Sequence, residues 1–149
     1  MQLLRYRPRS MNEARTRLRT YGFSEKEIEE TLKRASEARL LDDALFARLW
    51  VQDRLHSHPL SRRAVRQELS DKGIADSIVE EVLAEHYPPE VEDRALYELA
   101  HERHKRYRGL DRERRLRRLT SYLTRRGFPF SAARKIAMSL ENRSDVEED

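Results

Sequence analysis

Glu98-x-x-His101, with Glu102 and His104 beside it, spaces carboxylates and imidazoles one helical turn apart, the arrangement a metal ion asks of a helix. A second Glu-x-x-His, needed to complete a two-metal cage, does not occur, so this stretch reads as an exposed polar helix end and no metal is expected. Asp42-Asp43 offers paired carboxylates for acid and base roles. The pair directly precedes an apolar-periodic stretch, however, where Asp42 serves more simply as a helix N-cap. His56 and His58 flank Ser57 just before Pro59 with no ordered third partner near them in sequence, and read as turn histidines. No glycine loop that would cradle a phosphate is present. The chain is therefore not expected to hydrolyse ATP, to hold a cofactor or to carry a catalytic residue.

The chemistry that remains is charge. From Arg103 to Arg126 eleven basic residues stand against Asp111 and Glu113, a net +9 in 24 residues. Arg5, Arg7, Arg9, Arg15, Arg17 and Arg19 form a similar run against Glu13 alone, whereas Asp76 to Glu102 holds nine acids and only Arg94. With Val65 and Leu69 on the core face of a helix, Arg62, Arg63 and Arg66 fan across one flank, and Arg15 holds the same repeat position as Arg66. A recurring arginine flank can follow a phosphate backbone or an acidic protein groove, because guanidinium binds both oxyanions in bidentate fashion. The candidate binding residues are Arg15, Arg19, Arg62, Arg63, Arg66 and Lys72, together with Arg103, Lys105, Arg106, Arg108, Arg114, Arg115, Arg117, Arg118, Arg125 and Arg126. The competing reading is that such runs are ordinary solvated helix faces. Tyr107 and Tyr122 lie inside the basic cluster, where aromatic rings could meet the bases of a single strand, with a core position the equal alternative for Tyr107; Trp50 shares an apolar stripe with Phe46, Ala47 and Leu49 and reads as core.

The elements that must position these groups follow from a repeat. Leu18 to Phe23, Leu69 to Ile74 and Leu123 to Phe128 each hold a leucine, a glycine four residues on (Gly22, Gly73, Gly127) and then a large hydrophobe. Each glycine follows an apolar i, i+4 pair (Ala14 and Leu18, Val65 and Leu69, Leu119 and Leu123), the pattern of a helix closed by a left-handed residue. Leu4, Pro8 and Ser10 stand at the same distances from Gly22 as Leu55, Pro59 and Ser61 do from Gly73. Ser10 with Glu13 has the capping-box pattern, Ser61 is placed as an N-cap, and Gly109 with Asp111 does the turning and capping in the third copy. The spacing predicts helices over 10–20, 24–38, 42–56, 61–71, 75–86, 90–106, 111–126 and 130–142, without strands. The fold class is all-α: three tandem three-helix repeats in an elongated, curved array, with the first repeat truncated at its N-terminus. The boundaries are 1–40, 41–88 and 89–142, and 143–149 reads as an acidic disordered tail.

Composition narrows the class. The chain has 149 residues, no cysteine, 39% charged and 38% hydrophobic residues and a net charge of +4, which rises to +8 over 1–140 because Glu141, Asp145, Glu147, Glu148 and Asp149 crowd the end. The longest apolar run, Ala44 to Ala47, cannot cross a membrane, and without cysteine a disulfide-stapled extracellular fold is excluded; a monomer in the cytoplasm is expected.

The segments Leu40-Leu41-Asp42-Asp43-Ala44-Leu45-Phe46-Ala47, Arg62 to Ile74, and Tyr122 to Phe128 closely resemble, in order and spacing, the RecX family of regulatory proteins. The resemblance covers nearly all of 10–140 and departs from the family pattern mainly in the first repeat. It implies tandem three-helix repeats that bind the RecA recombinase, lie in the groove of its filament on DNA, and restrain its ATPase, strand-exchange and coprotease activities, so modulating recombination and DNA repair. DNA, single-stranded or duplex, would then be met weakly or within the filament. The alternative is a sequence-nonspecific DNA-binding helical repeat protein with one helix per unit in the major groove, against which stands the scarcity of base-reading side chains, Asn12 and Gln67 offering at most isolated readers. A metal-dependent enzyme using Glu98, His101 and His104 is a third reading.

Overall fold

The computed structural model describes residues 9–57 and 59–147. Among the described residues all regular structure is helical: α1 (Met11–Thr20), α2 (Glu25–Glu37), α3 (Asp43–Ser57), α4 (Arg62–Asp71), α5 (Asp76–His86), α6 (Pro89–Arg106), α7 (Arg112–Arg125) and α8 (Phe130–Glu147). Arg5 and Arg7 of the first basic run, Glu148 and Asp149 of the acidic end, and His58 lie outside these residues.

The repeat glycines do what their spacing predicts. Gly22, Gly73 and Gly127 all have positive φ, and each ends a helix that begins at a polar cap. At Gly73 and Gly127 a second constraint adds to the backbone one. A Cβ on Gly73 would stand 2.6 Å from Asn12 Cβ, and one on Gly127 would stand 2.5 Å from Ser61 Oγ and 2.7 Å from Ala64 Cβ. Helix ends thus seat directly against the starts of other helices, with no room for a side chain.

Those starts are capped twice over. Ser10 Oγ accepts from Glu13 N at 3.1 Å and Ser61 Oγ accepts from Ala64 N at 3.0 Å, the expected N-caps. The next free amide of each helix then reaches a carboxylate far along the chain: Met11 N donates to Asp43 Oδ1 at 2.9 Å, and Arg62 N donates to Glu92 Oε2 at 2.5 Å. Met11 and Arg62 are repeat-equivalent, so the same device occurs twice. Ser10 Oγ also donates to Lys72 O, and Ser61 N donates to Arg126 O, the carbonyls just before Gly73 and Gly127. Asp42 caps α3 through Leu45 N at 3.1 Å, as read from sequence, while the Asp43 carboxylate, at the first position of α3, caps α1. The complete capping box is at Ser24 and Glu27; the Glu13 carboxylate instead meets Lys72 Nζ at 2.9 Å.

The helices gather into two compact units: the described residues through Asp53 with Arg66–His86, and Arg54–Val65 with Tyr87 onward. In the first, Ala14, Ile28, Leu32, Ala35 and Leu41 form a core against Met11 and Leu18. In the second, Leu119 and Leu123 of α7 pack with Ala100 of α6 and Ala133, Ala137 and Leu140 of α8. The period of these buried residues is that of an amphipathic helix throughout.

Helix α8 corrects one expectation. The acidic end read as disordered beyond 142, but the helix continues through Arg143 and Asp145 to Glu147. No glycine or proline interrupts it after Pro129, and it is tied to α7: Asp145 Oδ2 lies 3.5 Å from Arg112 Nη1, and Arg112 also donates to Asn142.

Candidate binding surface

The sixteen cations singled out from sequence fall into three groups. Some clamp neighbouring helices. Arg15 meets Glu29 at 2.8 Å across α1 and α2, and Arg66 meets Glu80 at 2.6 Å across α4 and α5; the partners are repeat-equivalent, as the arginines are. The recurrence of basic groups from unit to unit is therefore explained by a recurring ion pair between the helices of one hairpin. Arg19 with Glu25 (2.6 Å) ties α1 to the start of α2; their mutual hydrogen bond raises the guanidinium value and lowers that of the carboxyl. Lys72 is bound to Glu13 and stands 5.2 Å from the Trp50 ring.

A second group is built into the α6–α7–α8 core. Arg115 donates from Nε and Nη2 to the two oxygens of Glu141, both at 2.8 Å, and from Nη1 to Leu110 O at 2.6 Å. Glu141 is fully buried and receives His104 Nε2 at 2.8 Å on the same oxygen as Arg115 Nε. Hydrogen bonding from Arg115, aided by His104 and opposed by burial, holds the Glu141 carboxyl below its usual value. Arg115 is thus an internal partner, not a surface cation. His104, read as part of an exposed polar helix end, is in fact inward and paired, because the turn of α6 that carries it faces α8. Arg103 lies 4.1 Å from the centre of the Tyr122 ring and 5.8 Å from that of Tyr107, and Arg126 lies 5.6 Å from Tyr122. Both tyrosines pack against the core, so neither presents the open platform that base stacking requires. Arg62 is half-buried, with its Nε unpaired.

The third group is outward. Arg63, Arg106, Arg108, Arg117 and Arg118 are exposed and have no ion-pair partner among the described residues. Arg114 (3.4 Å from Asp111), Lys105 (3.2 Å from Glu102) and Arg125 (bonded to Ser121 Oγ) are exposed as well. On α7, Leu116, Leu119 and Leu123 face inward, and at about 100° per residue Arg114, Arg118, Ser121 and Arg125 fall opposite them within an arc of about 60°. The helix is amphipathic in an unusual sense: its outer ridge is almost wholly arginine. Such a ridge can bind oxyanions spaced along a strand or an acidic protein face.

Trp50 only partly meets its expectation. It stacks on Phe46 at 5.7 Å and its Nε1 donates to Glu68 at 2.8 Å, but it stays partly exposed and its neighbour Leu49 is exposed. Two groups escaped sequence reading altogether. Glu141 was counted with the terminal acids, although Ala133, Ala137 and Leu140 mark its position as the inner face of α8; a carboxylate on an apolar stripe signals a buried cation. The serine and glutamate of Ser24-x-x-Glu27 displayed the capping box openly. No group of three or more His, Asp or Glu side chains able to hold a metal occurs among the described residues, and none of their helices is long and apolar enough to cross a membrane.

A helical unit reused with the same closing glycine, its capped helix carrying arginine on the outer face, defines a class of all-helical repeat proteins. Comparison with known proteins narrows it. The model described as RecX, second three-helix domain, matches residues 42–83, and that of RecX, third three-helix domain, matches 90–136. The regulatory protein RecX of Streptomyces coelicolor is 34% identical over 146 residues, 97% of this chain and 77% of that protein. That of Thermobifida fusca is 31% identical over 149 residues, covering 100% and 80%. A crystal structure of regulatory protein RecX superposes with a TM-score of 0.75 at 27% identity, over 91% of this chain and 66% of that longer one. RecX from Lactobacillus salivarius shares the fold, with a TM-score of 0.78 at 23% identity over 94% and 90%. The chain belongs to the RecX family, whose members are regulatory proteins and not enzymes.

Proposed function

We propose that this protein regulates a RecA recombinase by binding the RecA filament on DNA, with the exposed arginines of the third repeat as its principal contact. Occupying the filament groove competes with incoming duplex and restrains ATP hydrolysis, strand exchange and coprotease activity, and so modulates recombination and repair. A preference for one filament conformation shifts the ATPase state by the difference in affinity. The observation that carries the reading is the outer ridge of α7, where Arg114, Arg118 and Arg125 are exposed opposite a leucine core. Family membership supports the choice of partner. Arg15, Arg66 and Arg115 do not belong to this surface, since each already bridges two helices; Arg63, Arg106, Arg108 and Arg117 extend it. The protein acts as a cytoplasmic monomer in this account.

The test is the triple variant Arg114→Ala, Arg118→Ala, Arg125→Ala in a RecA ATPase titration on single-stranded DNA. Exposed charge pairs contribute about 0.2–1 kcal/mol each. Losing three raises the concentration for half-inhibition by about tenfold. Arg15→Ala with Arg66→Ala removes two charges whose partners are internal and leaves that concentration near wild type. The reverse ranking refutes the assignment.

A further inference from the structure

The α6–α7–α8 unit contains a partly enclosed, polar cavity of about 400 Å³, of whose lining the filament reading uses only Arg108. Its wall carries Lys105, Arg108, Arg115 and Arg143 together with His101 and His104, and only one carboxylate, Asp145. The acids nearby are already engaged. Glu141, buried and not itself part of the wall, takes two bonds from Arg115 and one from His104, and Asp145 lies 3.5 Å from Arg112. Arg108 and Arg143 have no carboxylate partner among the described residues, and Lys105 is held only by an exposed contact to Glu102 at 3.2 Å. One side of the cavity is aromatic. Tyr97 and His101 are stacked with their ring centres 5.7 Å apart and an interplanar angle of 17°, and the Arg143 guanidinium lies 5.9 Å from the Tyr97 ring.

Unneutralised guanidinium groups in a recess select an oxyanion, and two arginines that can donate in parallel suit a phosphoryl group in particular. A flat π surface at the same recess suits a nucleobase, which stacks on aromatic rings and guanidinium planes alike. The volume lies within the range of small-ligand pockets. We propose that this cavity binds a nucleoside phosphate, with the phosphoryl group between Arg108 and Arg143 and the base against the Tyr97–His101 stack. The ligand is either a free nucleotide or the terminal nucleotide of a strand, since both present a phosphomonoester beside a base. The site differs from the α7 ridge in being concave and aromatic, and it takes one phosphate in place of a track of them.

The test is amide and histidine side-chain NMR of the full chain, titrated with adenosine 5′-monophosphate, inorganic phosphate, and a short oligonucleotide with and without a 5′-phosphate. Saturable shifts at Tyr97, His101, Arg108 and Arg143 are expected with the monophosphate. Arg108→Ala with Arg143→Ala weakens binding at least about tenfold, while Arg117→Ala with Arg118→Ala, which removes the same charge outside the cavity, does not. Tyr97→Ala weakens the nucleotide and leaves inorganic phosphate unchanged. Tighter binding of the free monophosphate points to a nucleotide as the source, and tighter binding of the phosphorylated over the unphosphorylated oligonucleotide at the same residues points to a strand end. The proposal fails if no saturable shift occurs at these residues up to about 10 mM, if the two double variants lose affinity equally, or if a glutamate-rich peptide occupies the site more tightly than any phosphate probe.

Discussion

Replacing Arg115 by alanine removes three hydrogen bonds at once: two at 2.8 Å to Glu141 and one at 2.6 Å to Leu110 O. What it leaves behind sets the cost. Glu141 is fully buried, so its carboxylate is left with His104 as its remaining hydrogen-bond partner in an apolar setting of Ala137 and Leu140. Breaking a buried ion pair from one side costs about 3–5 kcal/mol. Arg115 keeps 21% of its side chain exposed, so water can enter its place, which favours the lower end, about 3 kcal/mol. In a chain of 149 residues that lowers Tm by about 6–12 °C. The assay is urea unfolding followed by far-ultraviolet circular dichroism, compared at equal m-value. Arg115→Met combined with Glu141→Leu removes both charges and is expected to recover most of the loss, because paired desolvation is removed with the pair. The pH profile gives a second reading of the same group. The folded-state value of Glu141 is depressed, so its stabilisation is complete above the unfolded carboxyl value near 4.3 and is lost as pH falls through the lower folded value. The wild type should therefore lose stability more steeply than the Met/Leu double variant below about pH 4. A loss under about 1 kcal/mol for Arg115→Ala, or a double variant no better than the single one, refutes the reasoning.

Other perturbations separate backbone from packing effects. Gly22→Ala meets only the left-handed backbone penalty of about 1–2 kcal/mol, because nothing lies within 4 Å of its Cβ. Gly127→Ala adds overpacking of about 1–3 kcal/mol against Ser61 and Ala64; equal effects of the two in urea unfolding contradict the close approach. Asp43→Ala removes the second cap of α1 and costs about 1 kcal/mol, whereas Asp43→Asn keeps an acceptor for Met11 N and loses less. An Asn variant as unstable as the Ala one shows that the cap is not what Asp43 contributes.

Much of this was legible in the sequence because it is local. Leu18 to Phe23 and its two copies state a helix, a left-handed residue and a following hydrophobe, and all three glycines have positive φ. Ser10, Ser61, Asp111 and Asp42 cap where their positions before apolar stripes place them. What was not legible depends on which chain segment comes alongside. Nothing local says that Asp43 serves Met11, that Glu92 serves Arg62, or that Arg15 and Arg66 are matched by glutamates fourteen residues on. The charge runs were correctly seen but over-read: a run mixes outward groups such as Arg118 with inward ones such as Arg115, and only the stripe of leucines between them tells the two apart. Arg39, with φ of 56°, shows the same limit, since an arginine gives no warning of a left-handed helix end.

The most direct test of the central claim is ATP hydrolysis by the cognate RecA on single-stranded DNA while this protein is titrated, with its binding to the bare strand measured at the same salt. The account predicts inhibition at concentrations well below those that coat naked DNA. No inhibition, or inhibition only once the bare strand is saturated, contradicts it and leaves a DNA-binding repeat protein in its place.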